Sequence, residues 1–192
     1  MSNKIEIQGA HLERVISAML GEWERFDFRA TFLAGRTDFH VGAPAACMGT
    51  LVGQGGSNLR ALSLLTEILG RQLDQQWLLV LEEPEDERRI PLQPDPTPED
   101  HDPSDDALLL EELLDSVGWV GVVRFTGGIA GGYDFMVSPA SPRDEALLLD
   151  EHPALYRRTK RNSQPISLLF ALGVIWKCLG KRKGVRYTIS IQ

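Results

Sequence analysis

Apolar positions recur along this chain with two spacings, one near 3.6 residues and one of two residues. Leu12, Val15, Ile16, Met19 and Leu20 form a stripe that predicts a helix over 11–20 with one buried face. Residues 26–32, Phe-Asp-Phe-Arg-Ala-Thr-Phe, alternate as a strand does. Ala34-Gly35-Arg36 supplies a turn, and residues 37–41 predict the returning strand. Pro44 suits the first turn of a short helix running to Val52. Leu59, Leu62, Leu65, Ile68 and Leu69 then predict a longer helix opening at Ser57, and residues 77–81, Trp-Leu-Leu-Val-Leu, read as a buried strand.

The second half repeats that order. Asp106 caps a predicted helix over 107–117, residues 119–125 form a strand, and 126–132, with four glycines, form a turn. Residues 133–137 return as a strand, a helical stretch contains Ala146 to Leu149 and then Leu155, and a long apolar helix spans 167–179. Residues 185–191 close the unit as a strand. Identities support an internal duplication. Asp38-Phe39-His40-Val41 matches Asp134-Phe135-Met136-Val137 at a shift of 96. Ala61-Leu62 matches Ala171-Leu172, Gly70 matches Gly180, and Leu79 and Leu81 match Ile189 and Ile191, all at a shift of 110. The second copy therefore carries about fourteen extra residues between Val137 and its long helix.

Between the halves lies an acidic stretch, Glu82-Glu83-Pro84-Glu85-Asp86-Glu87, followed by Pro91, Pro94, Pro96, Pro98 and Pro103. Prolines at this density exclude a helix or a central strand, and the like charges extend the segment. The expected organisation is an α+β chain with units at 1–83 and 106–192 and a linker at 84–105. The linker reads as a tether or, in a sharper form, as an acidic tail covering a basic surface until nucleic acid displaces it.

Composition adds little until charge is divided along the chain. The 192 residues carry a net charge of −7, which argues at first against nucleic acid. Yet residues 152–192 hold nine Lys or Arg and no Asp or Glu, so a local positive surface is available on an acidic protein. Cys47 and Cys178 stand far apart with no CxxC pair, and read as two buried thiols. The four histidines show no metal-ligand spacing, and no nucleophile elbow or His-Glu-x-x-His helix is present, so neither a cofactor nor catalysis is expected. No apolar run reaches the roughly 18 residues a membrane span requires. The N-terminus lacks a signal-peptide pattern, and the expected location is the cytoplasm.

Candidate chemistry concentrates at Val52-Gly53-Gln54-Gly55-Gly56. Glycines permit positive φ and leave no side chain to block close approach. With Ser57 capping the helix that follows, several N–H groups face outward at the positive end of a helix dipole, a place for phosphate. Arg60, one turn on, adds charge. The stretch from Phe39 through Gly49-Thr50-Leu51-Val52-Gly53-Gln54-Gly55-Gly56-Ser57-Asn58-Leu59-Arg60 to Leu62 resembles the KH family, specifically the small bacterial type II KH proteins, over residues 8–82. The resemblance implies two α-β-β-α-α-β units, each a three-stranded sheet covered by helices. It also implies a GxxG loop that clamps the backbone of about four unpaired nucleotides. Single-stranded RNA would contact Val52, Gly53, Gln54, Gly55, Gly56, Ser57, Asn58 and Arg60, with bases along an apolar groove walled by Leu51, Val52, Leu59 and the Phe39–Val41 strand.

Two departures qualify the resemblance. Family members carry Lys or Arg at a variable loop position, where this chain has Gln54 and Gly55. At the equivalent place in the second copy stands Ser163-Gln164-Pro165-Ile166, without the glycine turn. The second unit reads as a degenerate KH-like repeat whose basic residues Arg157, Arg158, Lys160, Arg161, Lys177, Lys181, Arg182, Lys183 and Arg186 offer a secondary surface. Expected partners are single-stranded RNA and also ribosomal or other proteins. The rival expectation is a protein-interaction module that has lost RNA binding and docks an acidic partner through its basic C-terminal unit.

Overall fold

A computed structural model of the chain describes residues 2–21, 26–82, 102–127, 131–152 and 165–192. The first unit runs α1 (Ser2–Leu20), β1 (Asp27–Leu33), β2 (Arg36–Gly42), α2 (Ala45–Val52), a 3-10 turn (Gln54–Gly56), α3 (Ser57–Arg71) and β3 (Gln76–Leu81). The second runs α4 (Ser104–Ser116), β4 (Gly121–Gly127), β5 (Tyr133–Pro139), α5 (Pro142–Leu149), the two-residue strands β6 (Glu151–His152) and β7 (Ile166–Ser167), α6 (Leu168–Arg182) and β8 (Tyr187–Ile191). The protein is α+β. Most of the expected linker, together with Leu155, Ser163, Gln164 and the basic residues Arg157, Arg158, Lys160 and Arg161, lies outside the described residues.

Boundaries differ from expectation where the local signal is weak. α1 begins at Ser2, well before His11, and the apolar stripe is faint in its early turns, where Ile5 packs partly against the core and Ile7 points to solvent. α5 begins at Pro142, since Ser141 accepts a hydrogen bond from the Asp144 N–H and Pro142 occupies the first helical position. Asp106 is not a cap. The residue before α4 is Pro103, and Asp106 is buried inside the first turn, 2.7 Å from Lys183 Nζ and 2.6 Å from the Tyr187 hydroxyl.

The two sheets share one topology. β1 is antiparallel to β2 and β2 is parallel to β3, giving the order β1-β2-β3, and β4-β5-β8 repeats the arrangement. Phe39 sits opposite Leu79 and Phe135 opposite Ile189, which places the sequence matches at equivalent points. Their rings pack against equivalent aromatics, Phe39 on Trp77 at 4.7 Å and Phe135 on Tyr187 at 5.0 Å. Gly70 and Gly180 explain why the match extends to glycine. A Cβ at either would fall 2.6 Å from Trp77 or 2.9 Å from Tyr187, and each carbonyl accepts two N–H groups of the turn that follows. These are from Leu73 and Gln75 at Gly70, and from Lys183 and Val185 at Gly180.

The units meet reciprocally. α3 packs along α6, and α1 packs against α4 and α6. Arg182 at the end of α6 lies against Gly21 after α1, and Gln72 at the end of α3 lies against Gly118 after α4. Gln8 donates to the Ser116 carbonyl at 3.0 Å, His11 meets the Ser116 hydroxyl, and Arg14 pairs with Glu112, so α1 and α4 run antiparallel. Apolar residues of both units form a single continuous core. Among the described residues, no helix is long and apolar enough to cross a membrane.

The Asp106 contact ties α4 to the α6–β8 turn from inside the protein. Removing one partner of a buried ion pair strands the other, and Lys183 keeps about a third of its exposure. Asp106→Ala should therefore lower unfolding free energy by about 3 kcal/mol, the low end of that range. Tyr187→Phe, which deletes only the hydroxyl, should cost about 1 kcal/mol. Urea denaturation of both variants measures the difference.

Candidate nucleic-acid interface

The glycine turn connects α2 to α3 in a strained path that only glycine follows easily. Gly53 has φ +71°, Gly55 +62° and Gly56 +81°. Gly53 is also sterically required, since a Cβ there would lie 2.6 Å from Asn58 Cγ and 2.8 Å from its backbone nitrogen. Gly55 and Gly56 face open space. Ser57 does not cap α3 as expected. It is the first helical residue, the cap is Gly56 in the left-handed region, and no side chain accepts there. α6 differs, because Ser167 caps it by accepting from the Phe170 N–H at 3.2 Å.

The turn consumes part of its own donor set. Gly56 N–H reaches the Gly53 carbonyl at 3.2 Å, and Ser57 N–H reaches the Gln54 carbonyl. Gln54 and Gly55 open the turn, and the first donors of a helical turn have no carbonyl within it. Their N–H groups are the candidate donors for a bound anion. Asn58 is a brace: its Nδ2 donates to the Thr50 carbonyl at 2.7 Å and holds the end of α2 against the start of α3.

The turn opens onto the second unit. A cleft of about 610 Å³ has Gly49, Thr50, Gly53, Gln54, Ser57 and Asn58 on one side, and Val174, Lys177, Cys178, Lys181 and Arg182 of α6 on the other. None of these is acidic, although the chain has 27 Asp and Glu. Lys177 and Lys181 are exposed, and among the described residues neither takes part in an ion pair. Arg182 is partly committed, its Nη2 donating to the Leu20 carbonyl at 2.6 Å while Nε is buried without a hydrogen-bond partner among the described residues. Burial pushes the Cys178 thiol up despite nearby Arg182 and Lys181, so it stays protonated and inert at neutral pH.

Several predicted residues lie elsewhere. Leu51, Leu59, Phe39 and Val41 are buried in the core and do not wall a groove, because helix packing and the sheet cover the face they share. Val52 is exposed beside the turn. Arg60 is half-buried and is not part of the cleft lining. Lys183 is bound to Asp106 and so contributes less free charge than its position suggested. The residues missed from the first unit are Gly49 and Thr50, and those missed from the second are Val174 and Cys178. The i, i+4 spacing of Lys177 and Lys181 was the available signal. No protein-family model matches the chain, and no curated protein matches it.

The brace and the turn should be separable by stability. Gly53→Ala should destabilise the protein by about 1–2 kcal/mol, from positive φ and the clash with Asn58. Asn58→Ala should cost about 1 kcal/mol for one lost hydrogen bond. Thermal and urea unfolding should rank Gly53→Ala as the more damaging.

Proposed function

We propose that this protein binds single-stranded RNA without catalysing a reaction, with Gln54 and Gly55 of the glycine turn presenting backbone N–H groups to a phosphate. The observation carrying this reading is the cleft that joins an uncapped α3 N-terminus to three cations and no carboxylate on an acidic chain. Further support comes from the α-β-β-α-α-β order with β1 antiparallel and β3 parallel to a central β2, the arrangement expected of a type II KH unit. The second unit is then a KH-like repeat without the loop. Cytoplasmic RNA is the natural partner of such a protein, with ribosomal or other proteins as further partners. Since Leu51, Leu59, Phe39 and Val41 are core, apolar contact with bases falls to Val52 and Val174, so the protein discriminates weakly among bases.

That same burial favours one second reading, a protein-interaction module whose cleft takes an acidic peptide. The two separate in one titration. Fluorescence anisotropy of a labelled oligouridine should show binding by the parent protein. Gln54→Asp combined with Gly55→Asp, which places carboxylates where a phosphate would sit, should weaken it at least about tenfold. Parent and double variant binding equally well would remove the turn from the site, and no binding by the parent would leave the acidic-peptide reading.

A further inference from the structure

The duplication allows each cleft residue on α6 to be compared with its counterpart on α3. At the shift of 110, Lys177 corresponds to Glu67, Lys181 to Arg71 and Arg182 to Gln72. On α3 the pair neutralises itself: Glu67 and Arg71 form an i, i+4 ion pair, and Arg71 reaches His152 of β6 at 3.3 Å. The β6–β7 ribbon thus contacts the end of α3, whereas the glycine turn faces the end of α6 across open space. On α6 the pair is two lysines with no carboxylate among the cleft residues. Like charges at i, i+4 weaken a helix and do nothing for its packing. A cation in the last turn suits the helix dipole, which accounts for Lys181 as it accounts for Arg71. Lys177 lies one turn deeper, where the dipole offers nothing.

We infer that Lys177 and Lys181 are the phosphate-contacting cations of the RNA site, supplied by the second unit to a turn that lacks its own. This inference rests on the proposed function. Their spacing along the helix is about 6 Å, of the order of one step along an extended strand. The backbone then passes from the glycine turn, whose Gln54 lines the cleft, to the two ammonium groups on its opposite side. With the α3 pair neutralised and in contact with the ribbon, the described residues offer one such site. The second repeat is then a working half of the site that supplies charge without a loop.

Anisotropy titrations of the full chain with labelled oligouridine and oligoadenosine, over a series of salt concentrations, test this. Lys177→Gln with Lys181→Gln should weaken both oligonucleotides by a similar factor, about tenfold, and flatten the slope of log affinity against log salt by about 1.4, or 0.7 per contact. Arg71→Gln, at the equivalent place on α3, should change neither. A lysine variant with unaltered affinity and slope, in a protein where the turn variant loses binding, overturns this inference and leaves the proposed function standing. A slope lowered equally by Arg71→Gln overturns the single site. A polyglutamate peptide that displaces the oligonucleotide as well as unlabelled RNA of equal charge overturns the phosphate assignment and points to an acidic protein. Both lysines are exposed, so the variants should fold, and coincident urea transitions check that they do.

Discussion

Everything else in this protein depends on α3 being apolar on more sides than its own sheet can cover. Ala61, Leu62, Leu64, Leu65, Thr66, Glu67, Ile68, Leu69 and Gly70 are consecutive or nearly so, and all are buried. A helix buried most of the way round needs two partners. One is the β1-β2-β3 sheet, where Trp77 closes onto Gly70. The other is α6, which buries Leu172, Ile175, Trp176 and Leu179 in the same core. Neither unit presents a finished surface without the other. Thr66 donates to the Leu62 carbonyl and Glu67 Oε1 accepts from Arg71, while Glu67 Oε2 is buried without a hydrogen-bond partner among the described residues.

The geometry of that packing brings the cleft into being. The N-terminus of α3 faces the C-terminal end of α6, so the glycine turn of one repeat looks at the last turns of the other. Two facts then act together. The α3 terminus carries orphan N–H groups with no capping side chain, and α6 brings cations to its end. Each feature alone is common in folded proteins. Their juxtaposition comes from the helix pairing, and it sets an uncharged glycine turn against a cationic helix end in a chain that is acidic overall.

Element order, the duplication and the glycine turn were legible because each leaves a local trace. Phe39 with Val41, and Phe135 with Val137, keep the two-residue spacing of buried strand positions, and Gly70 and Gly180 stand where an aromatic ring presses on the helix. The partnership between α3 and α6 left no such trace, since periodicity tells how much of a helix is buried but not against what. The groove failed for the same reason. Leu51 and Leu59 have the apolar character of core as much as of a wall, core is the commoner fate of such residues, and the neighbouring helices made them core. Asp106 looked like a cap because a carboxylate before an apolar run usually is one. Its partners, Lys183 and Tyr187, lie far along the chain. The basic stretch was visible as charge, yet spacing alone could not separate Lys177 and Lys181, which face the cleft, from Lys183, which is tied down inside.

Duplication of a unit ordinarily yields two equivalent surfaces, and this fold has broken that equivalence at one joint. Between β2 and α3 the chain makes a short helix and a glycine turn. Between β5 and α6 it makes a short helix and a ribbon, Glu151–His152 against Ile166–Ser167. The extra residues that shift the register from 96 to 110 are accounted for here. An insertion at this joint cannot be neutral, because reciprocal packing points each joint at the other unit's long helix. The ribbon brings His152 to Arg71 and gives α6 an ordinary serine cap, so the helix end that would have been open is finished. The turn leaves its own helix end open and its opposite face charged. Asymmetry between the repeats is therefore the expected consequence of one inserted segment in a symmetric frame, and it leaves the two units lining opposite sides of one cleft.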